Sequence, residues 1–201
     1  MQCFPKPHKK IEMPQFRLTA KMARELKITS LEMPSSGHAN FYDDWYIDID
    51  RFMRKKVILC MHVDTRAALA IPISEIGGIK NFFPCFKLLL SAVLENIHGY
   101  DAYINNVEQY LDIFDAPTDA IAFTKTKNNS VTSHMTQFKF ILERYTYEYS
   151  TVDQIVCDEA IRRWLTTLVS IEGSKDYMHP IDLLRKGNKS TSKPKGQIIY
   201  Y

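Results

Sequence analysis

The run VILCMHV, residues 57–63, constrains this chain most. Seven largely apolar residues stand between a basic cluster, Arg54-Lys55-Lys56, and a polar turn, Asp64-Thr65-Arg66. Such a run is too short to be a long helix and too continuous for a half-exposed strand, so it predicts a strand buried on both faces. The chain then returns as AALAIPI, residues 67–73, and WYIDI, residues 45–49, precedes the basic cluster. Together they read as an antiparallel meander with VILCMHV as its central strand, covered by helices on at least one side.

Helical periodicity surrounds this part. Residues 16–18 read as a short strand, Thr19 as an N-cap and residues 20–26 as a helix. MPSSGHANFYDD, residues 33–44, is turn chemistry and reads as a mobile loop. Pro84 suits a first helical position, and Phe86, Leu89, Leu90, Val93, Leu94 and Ile97 form one stripe before Gly99. Residues 101–114 repeat apolar side chains at helical spacing, and residues 120–124 form a short strand candidate. Val131, Met135, Phe138, Leu142, Tyr145 and Tyr149 follow at alternating steps of four and three. In the last strong helix Ile155, Ala160, Ile161, Trp164, Leu165 and Leu168 are expected to face inward, and residues 180–184 add a turn of helix. The fold class is α+β: a small antiparallel sheet, a meander, packed against several α-helices. Residues 1–15 read as an irregular arm, 16–186 as a single α+β domain, and 187–201 as a basic, flexible tail.

A chain of 201 residues suits one domain with a real core. The formal charge of +3 is concentrated at the ends, in Lys6, Lys9 and Lys10 and in Arg185, Lys186, Lys189, Lys193 and Lys195, which read as solvated tails. The four cysteines form no C-x-x-C pair, and Cys60 and Cys157 read as buried reduced thiols. MQCFPKPHKK has no apolar stretch of the signal-peptide kind, and the most apolar segment, residues 82–94, is too short to span a bilayer. A cytoplasmic protein without a membrane partner is expected.

No phosphate-binding glycine loop, dinucleotide fingerprint, zinc-protease motif or nucleophile elbow is present. Gly77-Gly78 reads as a connector. His8, His38, His62, His98, His134 and His179 include no pair at metal-ligand spacing, so neither a metal nor another cofactor is expected. His62 reads as a satisfied core residue. His134 falls in the first turn of a helix, whose dipole would keep it neutral and suited to general-base work, or it is a surface histidine on the helix shoulder.

Two stretches carry candidate chemistry. In TKTKNNSVTSHM, the helix N-terminus with Lys125, Thr126, Lys127, Asn128, Ser130, Ser133 and His134 could cradle a phosphate or carboxylate. The competing reading needs only one of these polar residues, as a helix cap. Arg54, Lys55 and Lys56, beside Trp45, Tyr46 and Phe52, could stack and neutralise a nucleic-acid strand; alternatively the aromatics are core and the basic residues a solvated turn.

Three blocks resemble a family of uncharacterised bacterial proteins, domain of unknown function 6933. FRLTAKMARELKI is similar to its opening strand and lysine-containing helix. Trp45 followed by RKKVILCMHVDTRAALAIPI is similar to its Trp, basic pair, apolar strand and Thr-containing turn. KTKNNSVTSHM is similar to its K-T strand end and R-S-V-x-G-x-M segment, departing at Asn129, where Arg is expected, and at Ser133, where Gly is expected. The resemblance implies a compact α+β domain in a bacterium, often near mobile or defence genes, and implies no activity. With no catalytic constellation in view, the expected function is a non-enzymatic binding module for a protein or nucleic-acid partner, in a mobile-element or toxin–antitoxin-like setting. The alternatives are a small enzyme of phosphate or nucleotide chemistry at residues 125–134 and a structural oligomer subunit.

Overall fold

The computed structural model describes residues 14–34, 43–99, 111, 121–171 and 176–190. The N-terminal arm before Pro14, residues 35–42 of the expected loop, nearly all of the 101–114 helix and the tail from 191 lie outside the described residues.

Five strands form one sheet, in the order β4-β3-β2-β1-β5. β2 (Asp44–Phe52), β3 (Lys55–His62) and β4 (Ala68–Pro72) are the expected meander. β1 (Gln15–Leu18) adds parallel to β2, and β5 (Ala122–Lys125) adds parallel to β1. The sheet is therefore mixed, not purely antiparallel, and β2 rather than VILCMHV is its middle strand. The expectation failed because four-residue strands carry no readable period, and their pairing is set by distant partners. β6 (Val169–Ser170) and β7 (Tyr177–Met178) form a separate two-stranded ribbon.

Alternation along β2 divides the core. Trp45, Ile47 and Ile49 face α2 (Phe82–His98), where the Trp45 ring meets Phe86 edge-on at 5.1 Å. Phe16 joins the same cluster against Phe82, Phe83 and Phe86. Tyr46, Asp48 and Asp50 face the opposite way, toward α3 (Asn129–Tyr149), whose Val131, Met135, Phe138 and Leu142 are buried. β3 is buried on both faces, as its continuous apolar run requires. α4 (Gln154–Leu165) lies against the edge strand β4. Gln154 donates to the Ala70 carbonyl at 3.2 Å and the Trp164 indole N–H to the Arg66 carbonyl at 2.6 Å. That cover blunts the strand edge.

Helix ends follow local chemistry. Thr19 caps α1 (Ala20–Glu25), the Asn128 side chain caps α3, and Asp153 caps α4 through the Val156 N–H. α5 (Pro180–Ser190) carries helix past the residue where the tail is expected to begin. Ile155 and Leu168, expected inward, are 74% and 57% exposed, and Tyr149 is exposed as well. Ile155 sits in the first turn of α4, outside the packed arc of Val156, Cys157, Ala160, Ile161 and Trp164.

Candidate functional site

β1 stops at Leu18, and α1 takes its place beside the second half of β2. Thr19 joins the two: its hydroxyl accepts the Met22 N–H at 3.3 Å and donates to the Asp48 carboxylate at 2.6 Å. α1 buries Met22 and Ala23, which turns Lys21 and Arg24 outward. The β2–β3 connection is a two-residue turn with left-handed backbone at Met53 (φ 45°) and Arg54 (φ 69°), the handedness that matches strand twist. The turn pairs Arg51 with Lys56 on the face away from α3.

Between α1 and this hairpin lies an open groove of about 330 Å³, lined by Lys21, Arg24, Glu25, Ile49, Asp50, Arg51 and Lys56. Lys56 pairs with Glu25 at 2.6 Å, and Lys21 stands 3.8 Å from Asp50. Four basic residues against two carboxylates leave the lining two charges positive. Arg24 and Arg51 are exposed, with Arg24 donating to the Ala20 carbonyl and Arg51 to the Arg54 carbonyl. Burial works to raise the Asp50 pKa, but hydrogen bonds from Lys139 and the Arg51 N–H, with the Lys139 and Lys21 charges, outweigh it and hold it below the ordinary value. Burial likewise works to lower the Lys139 pKa, and its bonds to Asp48 (2.7 Å) and Asp50 (2.8 Å) raise it instead. Both groups therefore stay charged near neutrality, which suits recognition better than proton transfer.

Of the predicted basic trio, Lys56 lines the groove and Arg54 is exposed at the hairpin turn. Lys55 reaches to the Val152 carbonyl (3.3 Å) in the α3–α4 connection. Trp45, Tyr46 and Phe52 are buried, so the aromatics beside this cluster are core and offer no stacking platform. Arg17, Lys21, Arg24, Arg51 and Lys139 escaped sequence reasoning, because none of them stands in a contiguous basic run there. The alternation D-x-D places Asp48 and Asp50 on one strand face, and Lys139 is their shared partner.

The 125–134 segment is tied from behind. The backbone N–H groups of Lys127 (2.7 Å) and Asn128 both donate to the Tyr46 hydroxyl, and Asn128 accepts from the N–H groups of Ser130 (2.9 Å) and Val131 (3.3 Å). The donors that would cradle an anion are thus engaged within the protein. Lys125, Lys127 and Ser133 are exposed, and Thr126 lines a small cleft of about 90 Å³ with Thr19, Tyr46, Asp48, Thr132 and Lys139. Ser130 lies 3.3 Å from the guanidinium of the buried Arg66, so the arginine at this helix start comes from the β3–β4 turn rather than from position 129. His134 is buried beside Trp164, with Nδ1 2.8 Å from the Ser130 carbonyl. Burial lowers its pKa and Arg66 adds to the lowering, against that hydrogen bond; the histidine is neither on a surface shoulder nor open to a substrate. His62 is satisfied in the core by Thr65, whose N–H donates to Nδ1 at 3.2 Å.

Among the described residues, no three His, Cys, Asp or Glu side chains gather as a metal-holding set, and no helix is long and apolar enough to cross a membrane. A mixed sheet with helices on both faces and a basic groove beside its first helix define an α+β domain that carries a charged, open groove. The family model described as Domain of unknown function (DUF6933) matches residues 15–183, and the chain belongs to that family. No curated protein matches it.

Proposed function

We propose that this protein is a non-enzymatic binding module whose partner is the phosphate backbone of a nucleic acid, held along the groove between α1 and the β2–β3 hairpin. One observation carries the reading: the fold gathers Lys21, Arg24, Arg51 and Lys56 around one groove, with Arg54 on the adjoining turn, against only two carboxylates. Arginine forks suit phosphate oxygens, and the absence of an aromatic platform at this groove makes recognition independent of base identity. The free thiols Cys60, Cys85 and Cys157 suit a reducing compartment, and we place the protein in the cytoplasm of a bacterium, as the family resemblance implies.

Fluorescence anisotropy with a labelled oligonucleotide tests this. About four phosphate contacts give a slope of about −3 in log affinity against log salt. Exchanging Arg24 and Arg51 together for alanine should flatten that slope by about 2. Salt-independent binding, or no binding at about 50 mM salt, defeats the reading.

A further inference from the structure

The tip of the β2–β3 hairpin carries residues that its backbone disfavours. Both positions of such a two-residue turn need left-handed backbone, which Asn-Gly adopts most readily. Here Met53 (φ 45°) and Arg54 (φ 69°) hold it, and each side chain strains the turn. Among the described residues Lys27, Arg66 and Ser150 also have left-handed backbone, but each stands singly. Met53 is 46% exposed beside the buried Phe52, and the exposed Arg54 guanidinium takes no partner among the described residues. Neither side chain repays its strain to the fold, which points to a role in binding.

The tip is also braced. Lys55 donates to the Val152 carbonyl at 3.3 Å on the α3 side, and Lys56 pairs with Glu25 at 2.6 Å on the α1 side. Across the turn Arg51 donates to the Arg54 carbonyl at 3.4 Å. The result is a short, fixed point that presents one apolar side chain beside one unpaired arginine, with Arg51 and Lys56 on its flank. Proteins that enter the minor groove of duplex DNA use this combination. An arginine is drawn into the negative potential of the groove, and an apolar wedge, methionine among the residues used, slips between two base pairs.

From the phosphate-backbone reading, on which this step rests, we infer that the partner is duplex DNA. Arg54 enters its minor groove and Met53 wedges into a base step, while one phosphate strand lies in the groove beside α1. A wedge needs no particular base, so binding stays independent of base identity and favours a step that is already poorly stacked. Duplex RNA, whose minor groove is wide and shallow, offers the tip no such slot.

Fluorescence anisotropy of the full chain with three labelled probes tests this: a perfect DNA duplex, the same duplex with a central mismatch, and its single strand. The mismatched duplex should bind about tenfold tighter than the perfect one, because less unstacking remains to be done. Met53→Gln should bring the two duplexes within about twofold of each other and leave the salt slope unchanged, since no charge is lost. Arg54→Gln should flatten that slope by about 1. Met53→Asn with Arg54→Gly restores the residues the turn favours, so it should melt no lower than wild type and still lose the mismatch preference. A single strand bound as tightly as the duplexes, or a mismatch preference that survives Met53→Gln, overturns the inference and leaves the phosphate groove standing. Binding to none of the three probes overturns both. Capture by anionic-lipid vesicles that Met53→Gln abolishes, without duplex binding, would assign the tip to a membrane surface instead.

Discussion

The two ends of β2 carry the same chemistry in opposite settings. At its start Asp44 is buried and takes both arms of Arg17, Nε at 2.8 Å and Nη2 at 2.5 Å, with the guanidinium 5.7 Å over the Tyr46 ring. Burial works to lower the Arg17 pKa, and the Asp44 hydrogen bond and charge outweigh it and raise it instead. At the other end Asp50 and Lys21 stand 3.8 Å apart in the open groove, and Lys56 and Glu25 are about a third exposed. One end is a clamp between two parallel strands; the other is a set of charges that water and an anion can compete for. Burial rather than residue type decides which ion pair holds a fold together and which is left for a ligand.

Breaking the buried end is the strongest test of this contrast. Arg17→Met leaves Asp44 charged and buried, and unfolding in urea should register a loss of about 3–5 kcal/mol. A loss under about 1 kcal/mol would erase the difference between the ends. The intermediate case is Lys139, which bridges Asp48 and Asp50: Lys139→Met should cost about 1–3 kcal/mol, mostly through the Asp48 carboxylate left in place. At the open end Lys56→Ala should cost less than about 1 kcal/mol, and the difference from wild type should vanish in high salt. If Lys56→Ala cost as much as Lys139→Met, the groove would be a structural clamp too.

The smallest effect concerns His134, a buried titratable group away from both ends. Its pKa is lowered in the folded protein, so the unfolded chain binds the proton more readily. The stability this contributes is complete above the unfolded pKa near 6.5 and is lost as pH falls through the folded value. Wild type should therefore lose stability between about pH 7.5 and pH 5 to a greater extent than His134→Gln. Parallel losses in the two proteins would show that His134 stays neutral in neither state's favour and that carboxylates such as Asp50 account for the whole slope.

The meander was legible because VILCMHV and AALAIPI are apolar on both faces and are bounded by turn chemistry, a local signal. β1 and β5 were read as short strands, but their parallel pairing lay beyond reach: four residues select a partner only once the tertiary frame exists. At the site the contiguous Arg54-Lys55-Lys56 run was visible, while the groove that gives Lys56 a role draws Lys21 and Arg24 from another element. The start of α3 shows the same limit. Asn128 was recognisable as a cap, but the Tyr46 hydroxyl that takes the Lys127 and Asn128 N–H groups lies 81 and 82 residues away. Side-chain identity marks which groups can bind; occupancy by a distant neighbour decides whether they remain open.

The β1–β5 pairing sets an order of events on the ribosome. Residues 15–18 leave the exit tunnel early, yet their partners at 122–125 follow more than one hundred residues later. The hairpins β2–β3 and β3–β4 close over short loops and can zip while translation continues, whereas the β1–β5 seam carries the entropy of a long loop and must wait. Through most of its synthesis the nascent sheet therefore ends at β1, an unpaired edge four residues long, and the brevity of that edge limits what a neighbouring nascent chain could add to it.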